Sequence, residues 1–181
     1  MVDGVKVLLR AVENEDSPQI RRLYDNFEEA ANTGTDFSGI HKKGIYDSMN
    51  FVICQKETKK VIGICALKNV DLINKSCLCS ILMDFDEDFD NENRIETMRL
   101  LMKFAFEELN LNRIGLWVFD YDKRSIKNFK KCGMKVEGIM REGVYNEGRY
   151  HDMYFMGILK SEYGKIVKGE GEECEEENIQ S

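Results

Sequence analysis

The chain has 181 residues and a formal net charge of −7 at pH 7, with 43% hydrophobic and 33% charged residues. This length and composition are typical of one globular domain that needs neither a disulfide nor a metal to fold. The negative balance argues against nucleic acid or an anionic membrane as the main partner.

The cysteines and the apolar runs indicate the cellular compartment of the protein. Six cysteines show no CxxC spacing and there are two histidines, so we expect reduced thiols and no metal site. Residues 1–10 lack the apolar core of a signal peptide, and no apolar run approaches the roughly 20 residues that span a bilayer. We therefore expect a cytoplasmic protein without a membrane partner.

Hydrophobic periodicity predicts a strand at 5–12 and then a helix capped by Asn14 or Asp16. Its buried stripe would contain Ile20, Leu23, Tyr24 and Phe27, and a glycine-containing loop would follow at 32–44. Three apolar strands are expected next, at 51–55, 61–67 and 76–84.

The second half reads as helix, strand, helix and two strands. The predicted ranges are a helix at 92–109, a strand at 112–119 with Trp117 in the core, a helix at 123–131 ended by Gly133, and strands at 134–140 and 149–159 around a turn region at 143–148. This order predicts an α/β domain with a mixed sheet, helices on both faces and one right-handed parallel crossover.

The domain is expected to cover residues 1–164. Residues 165–181 read as an acidic tail with six glutamates and too little apolar surface to pack, which is typical of a disordered segment.

Three passages resemble the GNAT superfamily of N-acetyltransferases, and among its members the branch that acetylates ribosomal proteins or spermidine. The first is MRLLMKFAFEELNLNRI at 98–114, which is similar to the long central helix of the family. The second joins Arg124-Ser125-Ile126 to Cys132-Gly133-Met134, and the third joins Glu137-Gly138 and Arg141 to Gly148-Arg149-Tyr150-His151-Asp152.

The resemblance implies acetyl-CoA as acyl donor. It would bind where the strand ending at Leu82 and Met83 splays from the strand at 113–119, with its pyrophosphate on backbone N–H groups of Asn93, Arg94, Ile95 and Glu96. Asp122 and Ser125 would contact the cofactor arm. The acceptor would be a primary amine of a small molecule or a peptide N-terminus, and a homodimer is possible in this family.

The resemblance also suggests catalytic candidates. Asp84, at the end of the splayed strand, is the candidate base by position, and Asp152 could position the amine. A structural Asp152 paired with Arg141 or Arg149 is the alternative. Phe129 stands where many members have a proton-donating tyrosine.

The stretch before the central helix departs from the family pattern. Residues 84–92 hold six acids, and residues 84–96 contain no glycine to approach a pyrophosphate. A calcium loop starting at Asp84 would need glycine and glutamate where Phe89 and Ile95 stand. Three hypotheses follow: an N-acetyltransferase, a catalytically impaired binding or regulatory module of the same fold, or an enzyme with an altered donor.

Overall fold

The computed structural model describes residues 1–30, 48–83 and 90–169, without the side chains of residues 24–30 and 90. It contains an eight-stranded mixed sheet in the order β1-β2-β3-β4-β5-β6-β8-β7, in which only β5 and β6 pair in parallel. The strands are β1 Val2–Asp3, β2 Val7–Ala11, β3 Ser48–Gln55, β4 Val61–Asp71, β5 Ser76–Met83, β6 Arg113–Phe119, β7 Lys135–Asn146 and β8 Arg149–Leu159.

Four helices accompany the described part of the sheet. They are α1 Ser17–Ala30, α2 Asp90–Lys103, which continues as a π-helical turn at Phe104–Glu108, α3 Lys123–Lys131 and α4 Lys160–Val167. The predicted α/β class, the mixed sheet and the parallel crossover are therefore confirmed.

The sheet separates two hydrophobic clusters. The larger one lies under α2 and α3 and contains Met98, Phe106 and Ile126. The smaller one lies under α1 and contains Ile20 and Leu23 together with side chains of β3, β4 and β5. Alternation along the strands sends successive side chains to opposite clusters, which fixes the face of every strand residue.

The start of α1 differs from the predicted cap. The Asp16 carboxylate lies in a 3-10 turn and accepts two hydrogen bonds of 2.7 Å from the guanidinium of Arg10, and one of 2.8 Å from the N–H of Glu13. This bidentate pair ties the end of β2 to the beginning of α1. It also holds the pKa of Asp16 below its ordinary value, chiefly through the hydrogen bond from Arg10.

The last two strands are longer than predicted at the β7 end. β7 continues to Asn146, and the tight turn consists of Glu147 and Gly148, both with positive φ. A register shift between Met140 and Val144 absorbs the extra residues as a bulge, so the region expected to be a turn is mostly strand.

Helix α4 was not predicted, because its sequence has few apolar residues. Three contacts hold it on the domain: Glu162 accepts from Lys135 at 2.7 Å, Tyr163 donates to Glu107 at 2.7 Å, and Ile166 lies directly against Gly133. The helix extends three residues beyond the boundary expected at 164. The acidic residues 170–181 lie outside the described residues, so the tail stays a prediction.

Trp117 is not in the core, which corrects the prediction. Leu116 and Val118 point into the cluster under α2 and α3, so Trp117 points to the other face. There it contacts Phe155 with ring centroids 4.8 Å apart and remains 43% exposed. The apolar run around it concealed the alternation, because both faces of β6 carry large side chains.

Candidate functional site

The site begins where β5 and β6 separate. Their parallel pairing covers Ser76 with Arg113, Cys77 with Ile114 and Leu78 with Gly115, and the recorded pairs end there. Beyond that point β5 stays paired with β4 as far as Met83, and β6 stays paired with β8 as far as Phe119. A gap therefore opens between the carboxyl ends of two parallel strands, a common location for ligands in α/β sheets.

The N-terminal turns of two helices meet beside this gap. Asn91 Oδ1, in the first turn of α2, accepts hydrogen bonds from Arg124 Nε at 2.8 Å and from Asn128 Nδ2 at 3.0 Å. Both donors belong to α3, so the beginning of α3 is fixed against the beginning of α2. Helix N-termini present unpaired N–H groups and positive partial charge, which favour an anion.

Helix α3 is also the most basic element of the described chain. Five of its nine residues are Lys or Arg, and its buried face carries Ser125, Ile126 and Asn128. The basic residues are Lys123, Arg124, Lys127, Lys130 and Lys131. This helix places positive charge next to the site, in contrast to the acidic sequence that precedes α2.

The predicted cofactor residues on β5 lie at the gap. Leu82 and Met83 belong to the part of β5 that is not paired with β6. Their side chains are buried in opposite clusters, Leu82 under α1 and Met83 under α2. Only the backbone of these residues therefore lies along the open edge of β5. The resemblance assigned this backbone to the cofactor arm.

The predicted residues of α2 have different environments. Asn93 is 2% exposed, and the carbonyl of Ile95 lies 3.7 Å from Cys132 Sγ. The Glu96 carboxylate accepts from the backbone N–H groups of Val5, Lys6 and Val7, so its side chain fixes the turn between β1 and β2. Cofactor binding by these three residues and by Arg94 stays a prediction.

Asp122 and Ser125 form a helix cap. Asp122 is the N-cap of α3, and its Oδ1 accepts from the backbone N–H of Ser125 at 2.9 Å. The two residues predicted to contact the cofactor arm therefore also define where α3 begins. Ser125 is buried, with 6% of its surface exposed.

Of the two catalytic candidates, only Asp152 belongs to the described residues. Asp84 lies outside the described residues, as does the acidic stretch 84–89. Asp152 Oδ1 accepts from the N–H of Glu142 at 2.8 Å, and the carbonyl of Asp152 accepts from the N–H of Asp120 at 3.0 Å. Glu142 has a φ of 53° in the β7 bulge, so Asp152 stabilises that bulge.

His151 belongs to a polar network that the sequence did not reveal. Its Nδ1 lies 3.1 Å from Asp120 Oδ1, and its Nε2 accepts from Arg149 Nε at 3.1 Å. Because a guanidinium can only donate, this arrangement requires the neutral tautomer with the proton on Nδ1. The ring of Tyr121 contacts His151 edge-on at 4.7 Å.

Four buried side-chain atoms have no hydrogen-bond partner among the described residues. They are Asn50 Oδ1, Ser80 Oγ, Thr97 Oγ1 and Tyr121 Oη. Burial and the neighbouring Asp122 and Asp120 raise the pKa of Tyr121. An unpaired buried polar atom costs roughly 1–3 kcal/mol, so a ligand that reaches such an atom and supplies the missing partner gains affinity. The alternation of apolar residues could have predicted that Asn50 and Ser80 lie on one face of the sheet, but not that they lie in the same cross-strand row.

Metal binding and membrane crossing are not indicated by the described residues. In residues 1–30, 48–83 and 90–169 no group of three or more His, Cys, Asp or Glu side chains could hold a metal ion. No helix within those ranges is long and apolar enough to cross a membrane.

The splayed strand pair, with the central helix beginning beside it, agrees with the resemblance noted in the sequence. The chain belongs to the acetyltransferase (GNAT) domain family, which residues 9–155 match. The family resemblance is thereby confirmed over most of the chain.

Curated relatives share this family. The chain is 32% identical over 114 residues to an uncharacterized N-acetyltransferase of Bacillus licheniformis, covering 62% of this chain and 63% of that protein. It is 28% identical over 129 residues to a putative ribosomal N-acetyltransferase of Bacillus subtilis, covering 71% and 63%. The matches thus span less than two thirds of the length of these two proteins. Spermidine N(1)-acetyltransferase of Escherichia coli is 24% identical over 174 residues, covering 90% and 91%.

Solved structures have the same fold. A spermidine/spermine N-acetyltransferase of Vibrio cholerae, in complex with manganese ions, superposes with a TM-score of 0.70 at 25% identity, covering 89% of this chain and 96% of that one. A structure of the Vibrio cholerae enzyme with CoA and spermine superposes equally well at 24% identity, covering 87% and 98%. The latter comparison shows the fold alone.

Proposed function

We propose that the protein is an acetyl-CoA-dependent N-acetyltransferase acting on a primary amine of a small molecule or of a protein N-terminus. The observation that carries this proposal is the gap between β5 and β6, which lies beside the N-terminal turns of α2 and α3. The open edge of β5 can bond an extended, amide-containing arm in the way that a sheet accepts an added strand.

The charge around the two helix starts supports binding of the phosphate end of the cofactor. Arg124 is fixed at the first turn of α2 through Asn91, and three further basic residues of α3 follow within two turns. These cations counter the negative charge of the acidic residues that precede α2 in the sequence. They supply positive potential for the phosphates, to which the N–H groups of a glycine-rich loop would otherwise contribute.

The proposed reaction needs only the cofactor and the amine. The amine nitrogen attacks the thioester carbon, the C–S bond breaks, and the thiolate of CoA takes up a proton while the amine loses one. Asp84 remains our candidate base and Asp152 our candidate positioning residue. Phe129 has no proton to give, so the proton for the thiolate must come from another group or from water.

The relatives suggest the kind of acceptor. One is named for spermidine, which is a cationic polyamine near neutral pH, and another is named a putative ribosomal N-acetyltransferase. The net charge of −7 of this chain is complementary to such an acceptor. We therefore propose a cationic amine. The predicted homodimer stays a prediction.

A thermal-shift titration with acetyl-CoA tests the cofactor. A ligand at one hundred times its Kd stabilises the folded protein by about 2.7 kcal/mol, which raises the midpoint by several degrees. Arg124→Gln should weaken the apparent affinity about tenfold, the effect of losing one charge-assisted hydrogen bond. Lys103→Gln, at the far end of α2, is the matched control and should leave the titration unchanged.

The impaired binding module remains the second candidate, because residues 90–96 are helical and contain no glycine. No midpoint shift at millimolar acetyl-CoA would remove the acetyltransferase proposal and favour this one. A shift without acetylation of any amine offered would indicate a cofactor-binding protein without transfer.

A further inference from the structure

One row of cross-strand neighbours continues from β3 to β8 across the gap, on the face of the sheet that carries α1. On one side, Asn50 of β3 pairs with Ala66 of β4, and Ala66 pairs with Ser80 of β5. On the other side, Trp117 of β6 pairs with Phe155 of β8. Directly paired residues point to the same face, so the two halves of the row lie on one side of the sheet and are separated by the gap.

Ser80 and Trp117 face each other across the opening. The last recorded pair of β5 and β6 is Leu78 with Gly115, and Ser80 and Trp117 each lie two residues further along. They therefore keep the same orientation as that pair while their strands diverge. An acetyl group carried along the open edge of β5 would lie between these two side chains.

An acceptor can approach this point from the α1 face but not from the opposite one. On the α2 face the side chains of Cys79, Met83, Leu116 and Val118 are packed into the main core. On the α1 face Trp117 is 43% exposed, and open space lies above Gly138 at the β7 end of the row. The reacting amine must therefore come from the side to which Ser80 and Asn50 point.

Two of the unpaired buried atoms belong to this row. Asn50 Nδ2 donates to Ser48 Oγ at 3.1 Å, while Asn50 Oδ1 and Ser80 Oγ are buried without a partner. A carbonyl oxygen can only accept, and a hydroxyl oxygen can accept as well, so both positions are complementary to N–H groups. Trp117 adds an aromatic face that attracts a cation.

We propose that this row is the acceptor subsite and that it selects a linear amine with a second N–H donor. The inference rests on the proposed acetyl transfer. The reacting amine lies between Ser80 and Trp117, and the second donor bonds Asn50 Oδ1. Two strand spacings separate Asn50 from Ser80, so we expect the two nitrogens of a preferred substrate to lie about 10 Å apart. A monoamine leaves Asn50 unsatisfied and binds less tightly.

The central variant is Asn50→Leu, assayed in the full chain with acetyl-CoA and two probes of equal length, a linear alkyl diamine and the corresponding monoamine. We expect the KM for the diamine to rise about tenfold, with kcat and the KM for the monoamine changed less than about twofold. Met49→Leu is the matched control, since Met49 is the neighbouring residue on the opposite face, and it should change neither KM.

Stability separates recognition from a structural role. Asn50→Leu removes a buried oxygen that has no partner and gives up the one hydrogen bond from Nδ2 to Ser48, so the thermal midpoint should stay close to that of the wild type or rise. A higher KM together with an unchanged or higher midpoint supports the subsite. An unchanged diamine KM, or equal losses for diamine and monoamine, would overturn it.

Ser80→Ala and Trp117→Leu test the other end of the row, and both should raise the KM for diamine and monoamine alike. Calorimetric binding of the diamine, measured without turnover, tests the subsite separately from the reaction. If the protein transfers no acetyl group, the proposed function fails; if Asn50→Leu leaves diamine binding unchanged, or weakens diamine and monoamine equally, the subsite fails.

Discussion

The two faces of β6 differ although both carry large apolar residues. Ile114, Leu116 and Val118 are buried beneath α2 and α3, with at most 5% of their surface exposed. Trp117, from the same strand, keeps 43% exposed on the other face. One face therefore holds the domain together, and the other is free to contact a ligand, which is why Trp117 can take part in recognition without being required for folding.

Substitutions on the two faces should have unequal effects. Ile114→Ala removes a fully buried side chain from the main core and should lower the free energy of unfolding by about 2–5 kcal/mol. Trp117→Leu should lower it by less than about 1 kcal/mol, because Trp117 is 43% exposed, lies outside the main core and keeps an apolar side chain in the variant. Urea unfolding measures both values, and equal losses would show that the two faces contribute equally to stability.

The second prediction concerns the outer layer of the main core. Gly133 has a φ of 87°, and an added Cβ would overlap Ile166 of α4. Gly133→Ala should therefore cost about 2–4 kcal/mol through backbone strain and displacement of the Ile166 side chain. Gly164→Ala, within α4, is the control because nothing lies near its missing Cβ, and helix propensity should make it neutral or slightly stabilising.

Chemical denaturation of both glycine variants gives the comparison directly. If Gly133→Ala costs no more than Gly164→Ala, then neither the left-handed backbone at Gly133 nor its contact with Ile166 is as described.

The fold was accessible from the sequence because it depends on local patterns. Periods of 2 and 3.6 residues place α3 and β8 at their observed bounds, and three short passages identify the family. Helix α4 was missed because its sequence has few apolar residues, and long-range contacts of Glu162, Tyr163 and Ile166 hold it in place. Trp117 was misplaced because composition does not tell which face of a strand a helix covers.

The site was less accessible, for a physical reason. The gap depends on where two strands stop pairing, and the Asn50–Ser80 row depends on register across three strands. Neither quantity is encoded in a local motif. The cofactor residues were predicted by family position, and Glu96 shows the limit of that method: the residue is correctly placed on α2, but its side chain holds the β1–β2 turn.

The third prediction concerns the α1 side, where the Arg10–Asp16 pair joins β2 to α1. Asp16→Asn should lower the free energy of unfolding near neutral pH by about 1.5–3 kcal/mol, since Asp16 is 3% exposed and makes a bidentate, charge-assisted contact. Glu15→Gln, an exposed neighbouring acid, should change it by less than about 0.5 kcal/mol.

The pH dependence gives this prediction its sign. The pKa of Asp16 is lowered in the folded state, so its stabilising contribution is fully present above the unfolded value of about 4 and is lost as the pH falls through the lower folded value. The difference in unfolding free energy between the wild type and Asp16→Asn should therefore be constant from about pH 7 to about pH 5 and shrink below that. A difference that grows on acidification would mean that Asp16 is protonated in the folded protein and that its contact with Arg10 is not an ion pair.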